Sequence, residues 1–85
     1  MKLRKEFLAH DTNGKSYLIS TSDADFKGIV EGNRTLGIIL DLLQTDTTED
    51  QIVSAMLERF DASAEQIRAD VQYAVSELRR IGALE

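Results

Sequence analysis

Two rhythms divide the chain. Up to residue 32, apolar and polar positions alternate with a period of two; from 33 to 82, apolar positions recur every three or four residues. The first pattern suits strands with one buried face and the second suits amphipathic helices. Strands followed by helices predict an α+β fold. The first strand is expected over residues 4–9 and the second over 15–21, centred on Tyr17, Leu18 and Ile19. Between them Asp11-Thr12-Asn13-Gly14 supplies a tight turn, because Asn-Gly accepts positive φ at both positions. Ser22-Asp23-Ala24-Asp25 reads as a further turn. A third strand over 26–31, interrupted by Gly28, would complete a three-stranded antiparallel meander.

Three helices are expected over 34–44, 49–60 and 64–81. Asn33 is a good N-cap, and Leu36, Ile39, Leu40 and Leu43 follow the i, i+3, i+4, i+7 rule. Ile38 and Leu42 widen that stripe. Gly37 either weakens the helix, by up to about 1 kcal/mol relative to Ala, or permits a close packing contact. Thr48 with Gln51, and Ser63 with Gln66, have the spacing of capping boxes. Along the third helix Ile67, Val71, Ala74, Leu78 and Ile81 form one continuous stripe. Arg79 and Arg80 suit the helix dipole, and Gly82 is placed for a left-handed C-cap with Leu84 folding back.

The 85 residues allow one domain, expected over 1–85. Ten Lys and Arg against fifteen Asp and Glu give a formal charge of −5. That argues against non-specific binding to nucleic acid or anionic lipid. With no cysteine, disulfides, thiol nucleophiles and thiolate metal sites are excluded; with one histidine, so is a multi-His zinc site. No apolar run has the length of a signal-peptide core or a membrane span. These features predict a small cytoplasmic domain with no membrane association, no catalytic residues and no cofactor or metal.

Candidate chemistry is sparse. Asp23-Ala24-Asp25-Phe26-Lys27-Gly28 resembles the start of a calcium loop, but later ligand positions would fall at Lys27 and Arg34, which cannot bind a cation. His10-Asp11 could pair a general base with a carboxylate, yet no nucleophile accompanies it. The third helix says more. With its core direction set along Ile67, Val71, Ala74 and Leu78, the residues Arg68, Gln72, Val75 and Arg79 project to one flank. Asp70, Tyr73, Glu77 and Arg80 project to the other. The first flank, one apolar side chain among two guanidiniums and an amide, could line a groove for an acidic, amphipathic peptide. The third strand lies at a sheet edge, where unpaired backbone groups can accept another strand.

From Asn33 onward the sequence resembles the PqqD-like family, the peptide-recognition elements of pathways that modify ribosomally made peptides. Asn33-Arg34-Thr35-Leu36-Gly37-Ile38-Ile39-Leu40 carries the resemblance at the first helix, Thr48 with Ile52 at the second, and Asp70-Val71, Leu78, Gly82 and Leu84 at the third. The chain departs from the pattern at Gly32 (often Leu), Leu40 (often Trp), Gln44-Thr45 (often Asp-Gly) and Ala74 (often a bulky aromatic).

The resemblance implies a winged-helix-like fold that binds the leader segment of a precursor peptide as an added strand and delivers it to a modifying enzyme. Such enzymes include radical-SAM enzymes, cyclases and leader peptidases. On this reading Lys27, Ile29, Val30 and Glu31 form the strand side of the site, and Arg68, Gln72, Val75 and Arg79 the helix side. Two competing functions remain. A winged-helix DNA-binding or transcription-associated domain would show steep salt dependence of duplex binding, and a structural subunit of a larger enzyme would co-purify with it without binding a leader.

Overall fold

The computed structural model describes residues 1–21 and 28–85. Three strands, β1 (Phe7–Thr12), β2 (Lys15–Ser20) and β3 (Ile29–Gly32), precede three helices, α1 (Arg34–Leu42), α2 (Glu49–Leu57) and α3 (Ala64–Arg80). The sheet is antiparallel with order β1-β2-β3, so β3 lies at an edge. The turn expected over Ser22-Asp23-Ala24-Asp25 and all of the calcium-loop-like stretch except Gly28 fall outside the described residues, as do Phe26 and Lys27 of the expected third strand.

The first hairpin is set by its turn. Asn13 (φ 51°) and Gly14 (φ 77°) both take the left-handed conformation, and Thr12 pairs directly with Lys15. A two-residue turn of this kind matches the twist of the flanking strands. It draws Asp11 and Thr12 into β1, which therefore runs over Phe7–Thr12 and not over the expected 4–9. The residues before it are used differently. Leu3 bridges to Leu84, and the Arg4 amide donates to the Ala83 carbonyl at 2.7 Å. The start of the chain is thus tied to its end, and Leu84 meets Leu3 instead of simply folding onto the helix.

Caps fix the helices. Asn33 Oδ1 accepts from the Leu36 amide at 3.1 Å. Thr48 and Gln51 form the complete reciprocal box. Ser63 accepts from the Gln66 amide, but the Gln66 side chain turns away to donate to Asp70 Oδ1 at 2.9 Å, so the second box is only half made. At the end of α3, Gly82 (φ 76°) donates to Arg79 O and Ala83 donates to Leu78 O. These are the paired bonds of a Schellman motif, with Ala83 fully buried beside Leu78. The first two helices stop short of their expected ends. Beyond α2, Phe60 still donates to Met56 O and packs on the core from outside the regular helix.

The core lies between the sheet's inner face and the helices. Leu18, Ile39, Leu40, Leu43, Ile52, Met56, Val71 and Val75 are its largest fully enclosed side chains. Gly37 brings α1 against β2: a Cβ there would overlap Ser16 Oγ and lie 3.0 Å from Asp11 Oδ1. Ser16 cannot yield easily, being 3% exposed and donating to Asp11 Oδ1 at 2.7 Å. Gly37→Ala is therefore expected to destabilise by about 1–3 kcal/mol through overpacking, outweighing a helix-propensity gain of up to about 1 kcal/mol. Urea unfolding measures the balance. A more stable variant would show that α1 does not press on β2.

Candidate functional site

The outer edge of β3 has a definite polarity. Ile19 pairs with Ile29, Leu18 with Val30 and Ser16 with Gly32. One step further in the same register, the Ser20 amide donates to Gly28 O at 3.3 Å. In an antiparallel ladder, residues alternate between directing their backbone groups toward the partner strand and away from it. Gly28, Val30 and Gly32 therefore face β2, while the N–H and C=O groups of Ile29 and Glu31 face outward. Side chains alternate across the other axis. Val30 packs on the core, whereas Ile29 (65% exposed) and Glu31 lie on the outer face, Glu31 Oε1 being 3.0 Å from Lys15 Nζ.

Beside this edge lies a groove of about 430 Å³. Val30, Glu31 and Gly32 form one wall. Thr35, Leu36 and Ile39 of α1 form the floor. The opposite wall is α3, through Asp70, Tyr73, Ala74, Glu77, Leu78 and Arg80, with Ile81 just beyond its end. No Cα of β3 comes within 8 Å of one in α3, although α1 approaches both. A strand added to β3 at the ordinary spacing of about 4.8 Å would enter on this side. Gly32 and Ala74 both belong to the lining of the groove, and a Cβ at Gly32 would run into Leu36 of α1. Both are positions where the sequence departs from the PqqD-like pattern toward a smaller residue.

The structure assigns the two flanks of α3 the reverse of what the stripe suggested. Its buried residues are Ile67, Val71, Val75 and Leu78, so the core direction runs through Val75 and not Ala74. Val75 is 2% exposed and offers no notch to a ligand. Arg68 pairs with Asp50 of α2 at 2.9 Å, and Arg79 Nη2 lies 3.8 Å from Met1 Sδ. Gln72 is exposed on that same flank. None of Arg68, Gln72, Val75 and Arg79 lines the groove beside β3, whereas Asp70, Tyr73, Glu77 and Arg80 all do. The physical reason is size and connection. Valine buries more apolar area than alanine, and the Arg68–Asp50 pair sets that flank of α3 beside α2. Weighting the stripe by side-chain volume would have found this. Of the strand-side residues, Val30 and Glu31 line the groove, Ile29 supplies outward backbone groups, and Lys27 lies outside the described residues.

Glu77 and Arg80 form a two-pronged pair at 3.1 and 3.2 Å. The hydrogen bonds from Arg80 hold the Glu77 carboxyl below the usual carboxylate range. Glu77 thus stays ionised as pH falls into the range where an unpaired Glu takes up a proton. His10 and Asp11 do not cooperate. As consecutive strand residues they point to opposite faces, and Asp11 is engaged by Ser16. Among the described residues no group of His, Asp and Glu is arranged to hold a metal ion, and no helix is long and apolar enough to cross a membrane.

Three antiparallel strands followed by three helices, with a sheet edge beside a groove that has Leu36 and Ile39 in its floor, define a winged-helix-like α+β domain. The chain belongs to the PqqD family: the family model described as coenzyme PQQ synthesis protein D matches residues 21–84, which include β3 and all three helices. Among solved structures, TbiB1 in complex with the TbiA(beta) leader peptide has the same fold, with a TM-score of 0.82 over 100% of this chain and 95% of that one. The two sequences are 15% identical. No curated protein matches the sequence.

Proposed function

We propose that the protein is a non-catalytic adaptor that binds the leader segment of a ribosomally made precursor peptide and presents it to a modifying enzyme. The leader adds as a fourth strand to β3, using the outward N–H and C=O groups of Ile29 and Glu31. One of its bulky apolar side chains enters the groove over Leu36, Ile39 and Ala74. The observation that carries this reading is the coincidence of the two features: outward edge amides of Ile29 and Glu31, without a backbone partner among the described residues, stand beside a cavity with Leu36 and Ile39 in its floor. Membership of the PqqD family supports it, as does the shared fold of TbiB1, which is known with a leader peptide. Strand addition gives affinity through the backbone, and a pocket gives selectivity through the side chain. Burying one large apolar side chain would contribute about 1.5–3 kcal/mol. The receiving enzyme would be a radical-SAM enzyme, cyclase or leader peptidase in the cytoplasm, where precursors are made.

The coding sequences beside the gene supply the probe, a short precursor-like peptide whose N-terminal segment can be synthesised. Titrated into isotope-labelled protein, it is expected to shift the amides of residues 29–32 and 70–81. Shifts confined to β1 and α2 would remove the groove from consideration even if binding were tight.

A further inference from the structure

We propose that the groove selects a cationic residue, Lys or Arg, next to the apolar anchor of its peptide, and that Asp70 reads it. This rests on the reading that an extended peptide occupies the groove. Its lining includes three acidic residues, Glu31, Asp70 and Glu77, and the single guanidinium of Arg80, but the Glu31 carboxylate turns to the outer face of the sheet. Two of the three already hold a cation. Glu31 has Lys15 at 3.0 Å, and Glu77 has Arg80. Asp70 differs. It accepts a neutral amide hydrogen from Gln66 at 2.9 Å, and among the described residues no cation lies within 4.0 Å of it.

Asp70 stands one helical turn before Ala74, so a ligand residue beside an anchor seated over Ala74 comes within reach of it. Tyr73, on the same wall and 72% exposed, offers an aromatic face to the same cation. A carboxylate oriented by an amide and flanked by an exposed ring suits a guanidinium or ammonium group. The sign is opposite to the acidic ligand that the Arg68 flank suggested, because those guanidiniums sit on the far side of α3.

Selection from a random displayed peptide library tests this, using the wild type, Asp70→Lys and Ala74→Trp proteins. Ala74→Trp fills the groove and identifies which peptides depend on it. Groove-dependent peptides from the wild type are expected to carry Lys or Arg at a constant distance from a bulky apolar residue. Those from Asp70→Lys should carry Asp or Glu there instead. A selected wild-type peptide should bind Asp70→Asn roughly two- to tenfold more weakly, the range for a partly exposed ion pair aided by an aromatic face. Groove-dependent peptides with neutral or acidic residues at that position would overturn the inference and leave the groove reading intact. If no selected peptide is sensitive to Ala74→Trp, the groove reading falls and this inference with it.

Discussion

Leu78→Ala is expected to destabilise the protein by about 2–5 kcal/mol, the range for deleting a buried leucine side chain whose cavity cannot collapse. Leu78 is 3% exposed. It lies on the buried stripe of α3, its carbonyl accepts the Ala83 amide that closes the helix end, and it contributes to the groove wall. A total stability of roughly 5–15 kcal/mol is typical, so the loss is a large share. For a domain of this size each 1 kcal/mol shifts Tm by roughly 4–8 °C, and a drop of at least about 8 °C should be seen by circular dichroism. A change of a degree or two would show that Leu78 is not part of the core. Tyr73→Ala makes the control. Tyr73 is one of the most exposed large side chains, so its removal should leave Tm nearly unchanged while weakening peptide binding.

The sequence made the architecture legible because local signals agreed with one another. Asn13-Gly14, Asn33, Thr48 with Gln51, and Gly82 each punctuate an element where the periodicity changes, and each performs the expected backbone task. The register of β1 was harder to read. The alternation of apolar and polar residues fits several strand limits equally well, and only the two-residue turn decides that Thr12 and Lys15 pair. The tie between Leu3 and Leu84 is invisible in any local window, since the two are joined only by the tertiary fold.

The candidate site shows the same division. That β3 is an edge strand follows from element order alone. Which side of α3 faces it does not, because helical periodicity defines a stripe but not the neighbour on either side of it. The choice between Ala74 and Val75 as the stripe's centre rotates the helix by a fraction of a turn. That rotation exchanges a basic flank for an acidic one beside β3. The charge of the expected ligand changes sign with it.

A pair of proline substitutions separates the strand-addition mode from mere contact with the groove. Proline lacks an N–H and is tolerated in a sheet only where that group would face away from the ladder. At Glu31 the lost N–H is one of those directed outward, so Glu31→Pro should keep β3 paired with β2. The Lys15 contact it removes is between exposed groups and contributes little to stability. At Val30 the N–H faces β2, and Val30 also packs on the core, so Val30→Pro should break the ladder and lower Tm. Peptide binding to Glu31→Pro, by contrast, should weaken by an order of magnitude or more, about 1.4 kcal/mol or above. It loses a backbone hydrogen bond and puts a ring where the added strand must approach. Calorimetric titration with the synthetic leader, run beside thermal melts of both variants, reads the two effects separately. Full affinity in a folded Glu31→Pro protein would show that the peptide lies in the groove without joining the sheet.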